Sequence, residues 1–183
     1  MSHGHGHADH GGNKVVALLI SVLALVLAFS ETLGKNAQTA ALAHNIEASN
    51  LWAFFQAKTI RQTVLRTAAE QTAVVSAHEN SKKQVDAWRK TADRYQSEPE
   101  TGEGREQLAA RAKAAEKKRE HAVSAYHNLE SASALTQIAI VLASASIITG
   151  MAALVWTAGV LGVLAVFFCV MGYFFPHAIH IAF

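Results

Sequence analysis

The chain has 183 residues, of which 51% are hydrophobic, and its formal net charge at pH 7 is +2. This small charge, with acids and bases alternating, gives no support for nucleic acid as a partner. Fifteen of the sixteen lysines and arginines lie between Lys35 and Arg119, and the last acidic residue is Glu130. This segregation predicts an all-α integral membrane protein with a water-facing middle, and the single cysteine, Cys169, excludes an internal disulfide.

The chain begins with a His-rich tail, residues 1–13, which its glycines predict to be disordered. Imidazole and carboxylate groups bind divalent transition metals, so the tail is a candidate metal site, with a solvated tail as the alternative and no other cofactor expected. The candidate ligands are His3, His5, His7 and His10, together with Asp9.

The first transmembrane helix is predicted at residues 14–34. Its apolar run from Val15 to Leu33 is about 28 Å long as a helix, near the ~30 Å of a hydrocarbon core. A signal peptide is the alternative, but no convincing small-x-small cleavage site follows the run. At the margin of this span, Glu31 is expected to pair with Lys35, four residues further along the helix.

The next segment, residues 35–65, carries aromatic residues and cations in a charged part of the chain. If the chain folds back about residue 100, Leu135 and Arg66 lie at the same distance from the membrane. Because Leu135 begins a span, both ends of this segment are expected near the membrane surface. We therefore expect an interfacial helix along the membrane surface, or a helix packed against a neighbouring protomer. The candidate lipid or partner interface consists of Trp52, Phe54, Phe55, Gln56, Lys58 and Arg61.

Two heptad patterns predict a coiled-coil-like helical hairpin over residues 66–134, with its turn at 97–104, where Pro99 and two glycines occur. Because many seam positions are polar or alanine, two such helices bury little area, and copies of the chain are expected to join in a homo-oligomer. The first pattern is Ile60, Val64, Thr67, Gln71, Val74, His78, Ser81, Val85, Trp88, Ala92 and Tyr95. The second is Leu108, Ala112, Ala115, Arg119, Ala122, Tyr126, Leu129 and Ser133.

The second and third transmembrane helices are predicted at residues 135–155 and 158–176, because the stretch from Leu135 to Phe175 carries no formal charge. We place the turn near Gly159 and Gly162 and the end at Pro176. The C-terminal tail, 177–183, follows. Small-residue pairs that would let helices approach closely are Ser146 with Gly150 and Ala24 with Ala28, and weaker metal candidates in the tail are His177 and His180.

The stretch IEASNLWAFFQAK, residues 46–58, continued to Arg61, resembles the signature of a bacterial family, the domain of unknown function 4337 family. The layout is also similar: a polar start, one span, the aromatic motif, a charged helical region and a closing pair of spans. The resemblance covers nearly the whole chain, although the regular HGHGHADH start departs from it. It implies an integral membrane protein and no particular reaction.

As function, the sequence favours a non-enzymatic scaffold of the bacterial cytoplasmic membrane that self-assembles and presents its helical arm to partners. Phosphate-binding loops, nucleophile elbows, carboxylate pairs and CxxC motifs are not recognisable in the sequence. One alternative is a small oligomeric channel or transporter-like assembly lined by Ser144, Ser146 and Thr149, and another is a metal-sensing module that uses the His tract. The positive-inside rule places the arm in the cytoplasm.

Overall fold

The computed structural model describes residues 10–76 and 78–176, with side chains from residue 14 onward. Within these residues the chain is all α-helical, as predicted, with helices α1 (His10–Val75), α2 (Glu79–Gln96), α3 (Arg105–Thr149) and α4 (Ala152–Phe174). Three of them, α1, α3 and α4, contain stretches long and apolar enough to cross a membrane, which agrees with the expected number of spans.

The described chain forms two compact units. One, here called the apolar unit, consists of the residues up to Ala41 together with those from Glu120 onward. The other, here called the polar unit, is Leu42–Arg119. Helices α1 and α3 each contribute to both units, and α1 begins at His10, within the tail that we expected to be disordered.

Small side chains form the packing surface of the apolar unit. From residue 132 onward, the buried positions of α3 are Ala132, Thr136, Ala139, Ala143 and Ser146, spaced four and three residues apart. On α4, a Cβ added to Gly162 would lie only 2.8 Å from Leu23 Cδ2 of α1, so the glycine allows close approach of the two helices.

Of the two small-residue pairs that we singled out, only Ser146 is buried within the chain. Ala24 and Ala28 are exposed, and Gly150 lies in a turn instead of a helix contact. That turn corrects the expected boundary between the last two spans, which falls at Gly150 and Met151 and not near Gly159 and Gly162. Gly150 has a φ of 67°, a conformation that glycine adopts without the strain of a Cβ atom.

The polar unit differs from the expected division into a helix at 35–65 and a hairpin at 66–134. Residues 35–76 contain no glycine or proline, and α1 accordingly runs unbroken to Val75. Helix α1 ends at Val75 and α2 begins at Glu79, and Ser76 Oγ, after α1, lies 2.8 Å from Ser81 Oγ of α2. Helix α2 then packs back on α1, so that the partner of Arg66 is Asp93, at 3.8 Å, within this unit.

Residues 97–104 connect α2 to α3, and the start of α3 packs on α1 as well. Leu108, Ala112 and Ala115 of α3 form an apolar cluster with Ala48 and Leu51 of α1. Both α2 and α3 therefore pack against one helix, and the polar unit is a three-helix arrangement rather than a two-helix hairpin.

The buried side of α1 in the polar unit is not the predicted one. In α3 the second predicted pattern is confirmed by five buried residues: Leu108, Ala112, Ala115, Ala122 and Leu129. In α2 the first predicted pattern is confirmed, because Val85 and Ala92 are buried. In α1 the first pattern is wrong as an intrachain contact, because Ile60 and Val64 are more than 60% exposed. The buried positions are on the opposite side of α1: Ala48, Leu51, Lys58, Gln62 and Ala69.

Candidate functional site

A buried lysine lies at the centre of the polar unit. The Lys58 side chain is 6% exposed, and its Nζ lies 3.6 Å from a carboxylate oxygen of Glu98 and 3.7 Å from one of Glu103. Both glutamates belong to the connection between α2 and α3, so the lysine ties this loop to α1. A cation removed from water needs such partners, because an uncompensated buried charge is strongly unfavourable.

Aromatic rings complete the surroundings of the lysine. Its Nζ lies 5.4 Å from the centre of the Phe54 ring and 5.0 Å from that of the Tyr95 ring. A ring face attracts a cation at this distance because its π electrons carry partial negative charge. Lys58 therefore contacts carboxylates and rings that come from α1, α2 and the loop.

A second cation, Arg105, joins all three helices. Its guanidinium carbon lies 4.9 Å from the centre of the Phe55 ring, and its Nη1 donates hydrogen bonds to the side-chain oxygens of Gln96, at 3.0 Å, and Gln62. Gln62 in turn donates to the carbonyl oxygen of Ala92, at 2.9 Å. The fully buried Gln62 amide is thus bonded to both α2 and α3.

Trp52 is held by contacts with Phe55 and with α3. Its Nε1 donates a hydrogen bond of 2.8 Å to Glu116 of α3, and its ring meets that of Phe55 edge-to-face at 5.4 Å. Both rings pack on the apolar cluster formed by α1 and α3. The aromatic residues therefore have an intrachain partner.

We call this set the cation cluster: Trp52, Phe54, Phe55, Lys58, Gln62, Tyr95, Gln96, Glu98, Glu103, Arg105 and Glu116. It brings together four of the six predicted interface residues, whereas Gln56 and Arg61 occupy exposed positions of α1 outside it. A lipid or partner contact by the six stays a prediction. The sequence reasoning missed the α2 and α3 partners, although the acidic run SEPETGEG could have indicated carboxylates for a buried cation.

A groove of about 450 Å³ in the apolar unit is a second polar site. Tyr126 donates a hydrogen bond of 3.0 Å to Glu130, and this bond, together with burial and the glutamate charge, raises the pKa of Tyr126 above its usual value. Glu31 also lines the groove and accepts from Gln137 at 3.5 Å. The ion pairs of the described residues do not include the Glu31–Lys35 pair that we expected.

The remaining candidate residues either form hydrogen bonds within their own helix or lie outside the residues that the structure describes. The hydroxyls of Ser144, Ser146 and Thr149 each donate to a carbonyl oxygen of the preceding turn of α3. Among the described residues no group of three or more His, Cys, Asp or Glu side chains could hold a metal. The other histidine candidates, His3, His5, His7, His177 and His180, lie outside these residues, as does the side chain of His10, so metal binding by the tails stays a prediction.

Comparison with protein families decides what the chain is related to. A family described as "Domain of unknown function (DUF4337)" matches residues 12–175. The chain belongs to this family. The resemblance carried by the stretch from Ile46 to Arg61 is thereby confirmed, and four residues of that stretch belong to the cation cluster. Comparison with curated proteins and with solved structures gives no match.

Proposed function

We propose that this protein is a non-enzymatic scaffold of the bacterial cytoplasmic membrane, anchored by three transmembrane helices. In this proposal the copies of the chain assemble with one another, and each offers its polar unit to partners in the cytoplasm. The partners are the lipid bilayer, further copies of the chain and proteins that bind the charged surface.

The observation that carries the proposal is the cation cluster, because it gives the polar unit a defined shape. The apolar core there is small and consists mostly of alanine and leucine. Lys58 of α1 pairs with two glutamates of the loop, and Arg105 of α3 donates hydrogen bonds to glutamines of α1 and α2. The two cations together therefore fix the loop and the three helices around this small core. A unit held in one conformation by its own ion pairs and hydrogen bonds presents the same surface in every copy, which a binding scaffold requires.

The surface that would be presented is densely charged. In residues 79–119, which include α2 and the start of α3, 19 of 41 side chains are acidic or basic. In residues 42–75 of α1, only 5 of 34 are. The mixture of signs on α2 and α3 favours electrostatic recognition of protein partners, which sets specificity and association rate.

The test is the mass of the protein purified in a mild detergent, measured by native mass spectrometry, with ion flux measured after reconstitution in liposomes. We expect a complex of several copies and no flux. A single chain at all concentrations would contradict self-assembly, and reproducible conductance would favour the channel alternative. Deletion of residues 1–12 should leave the complex intact, whereas loss of a metal-dependent complex would favour the sensing alternative.

A further inference from the structure

The α1 part of the first predicted heptad pattern, extended towards the N-terminus, runs along the side of α1 opposite the cation cluster. At about 100° per residue, a position two residues away from a seam position lies on the other side of the helix. The nine positions of this pattern, spaced four and three residues apart, are called the outer face: Ile46, Asn50, Ala53, Ala57, Ile60, Val64, Thr67, Gln71 and Val74.

The outer face contains exposed aliphatic residues. Ile46, Ile60, Val64 and Val74 are each more than half exposed, and Val74 is 88% exposed. Four large aliphatic side chains therefore lie exposed on one line of the helix, separated by alanines and by the uncharged polar residues Asn50, Thr67 and Gln71. Aliphatic residues exposed in a regular line, unlike those scattered singly, favour a site of protein association.

The outer face also carries no charge. The five charged residues of α1 between Leu42 and Val75 all occupy other positions: Glu47, Lys58, Arg61, Arg66 and Glu70. An ordinary solvated face would resemble those of α2 and α3, where nearly every second residue is charged. The outer face thus combines uncharged residues at heptad spacing with side chains that are exposed in the single chain.

The length of the face matches that of a helix–helix contact. From Ile46 to Val74 it extends over four complete heptads, about 42 Å of helix. A heptad pattern sustained over three to four repeats is typical of a coiled coil. The partner that fits is therefore another helix with the same periodicity.

A second copy of α1 meets this requirement. Copies inserted in one membrane with one orientation have α1 helices that run in the same direction, so each position of the outer face can meet its own counterpart. A face without charge is compatible with itself, whereas a charged partner would find no group to pair with. Asn50 fits this arrangement, because a single asparagine in a parallel seam pairs with its counterpart and fixes the register.

We infer that the outer face of α1 binds the outer face of a second copy of this chain, side by side and in parallel, through the seam from Ile46 to Val74. This inference rests on the proposed self-assembly and names the surface that performs it. The charged sides of α2 and α3 then remain free for other partners.

Cysteine cross-linking in native membranes tests the inference. In a Cys169→Ser background, we expect that Ile60→Cys and Val74→Cys give a disulfide-linked dimer on mild oxidation. The matched controls, Lys83→Cys on α2 and Lys113→Cys on α3, lie on exposed charged positions and should remain single chains. Equal linking at all four positions, or none at residues 60 and 74, would overturn the inference.

A charge substitution provides the second measurement. Ile60→Glu places two like charges opposite each other in a parallel seam and should weaken association at least about tenfold, since like charges facing each other across an interface are strongly unfavourable. Lys113→Glu is the control, and thermal unfolding by circular dichroism verifies that both variants fold. A full-sized complex of Ile60→Glu chains would show that another surface holds the copies together, and the proposed scaffold would survive without this interface. A single chain in the unmodified protein would refute both.

Photo-cross-linking separates a second copy from the membrane surface. With p-benzoylphenylalanine in place of Ile60, an adduct of doubled mass that maps to α1 supports the inference. A lipid adduct, or an adduct to a different protein, overturns it.

Discussion

The two sides of α1 in the polar unit reverse the usual distribution of polar and apolar residues. The covered side contains the charged Lys58 and the amide of Gln62, both nearly inaccessible to solvent. The outer face, by contrast, carries isoleucine and valine at positions that are mostly exposed. Both sides have heptad spacing, so periodicity alone does not distinguish the side that packs within the chain from the side that remains open.

This difference shows that a side of α1 is covered where α2, α3 and the loop supply groups that pair with its residues. Lys58 and Gln62 can be buried because Glu98, Glu103 and Arg105 supply counter-charges and hydrogen bonds. The outer face needs no counter-charge and stays exposed in the single chain. Helix α1 can therefore fold through the residues of its covered side and associate through those of its outer face.

The largest expected effect is that of disrupting the charged contacts of the covered side at their centre. Lys58→Ala removes the cation between two carboxylates and should lower the free energy of unfolding by about 3 kcal/mol, near the lower limit for a buried pair because Glu103 is half exposed. Hydrogen exchange of residues 97–104 should increase most, because the loop loses its attachment to α1. The control is Arg61→Ala at an exposed position, with an expected change within about 0.5 kcal/mol. Equal effects of the two substitutions would contradict the central role of Lys58.

The sequence predicted the helical class, the three apolar stretches and the loop at 97–104, because these follow from composition, proline and glycine. It also predicted the buried side of α3, where Leu108 and the alanines follow an apolar pattern. It failed on α1 because the heptad rule chooses the more apolar of two seams, Ile60 and Val64, over one that contains a lysine. Only tertiary contacts with α2 and with the loop at 97–104 make Lys58 a buried residue, and a single sequence does not show those contacts.

A similar contrast between covered and open positions on one helix can be tested in the apolar unit. Gly162→Leu should destabilise the unit by about 2 kcal/mol, since even a Cβ atom at this position would lie within 2.8 Å of Leu23. Gly159→Leu is the matched control, because a Cβ at that glycine meets no atom within 4 Å. Unfolding in mixed detergent micelles, followed by circular dichroism, measures both variants. If Gly159→Leu were the more destabilising, the assignment of the packed side of α4 would be wrong.

A smaller effect is expected at the edge of the cation cluster. Trp52→Phe keeps the ring contact with Phe55 but removes the 2.8 Å hydrogen bond to Glu116, at an expected loss of about 1 kcal/mol of unfolding free energy. A double-mutant cycle with Glu116→Ala isolates this bond, and we expect a coupling energy of similar size. Independent effects of the two substitutions would mean that the bond contributes nothing to stability.

The smallest effect on folding is expected on the outer face. Ile60→Ser should change the unfolding free energy of the single chain by no more than about 0.5 kcal/mol, because its side chain is 65% exposed and loses little apolar contact within the chain. Leu51→Ser, on the covered side, buries a hydroxyl where a leucine packs and should be destabilising by several times that amount, about 3 kcal/mol. Thermal unfolding of the protein, diluted in detergent until the copies separate, measures the stability of both variants without the contribution of association. The contrast between the two sides would be lost if Ile60→Ser unfolded as readily as Leu51→Ser, since an isoleucine that matters in the single chain must already have an intrachain partner.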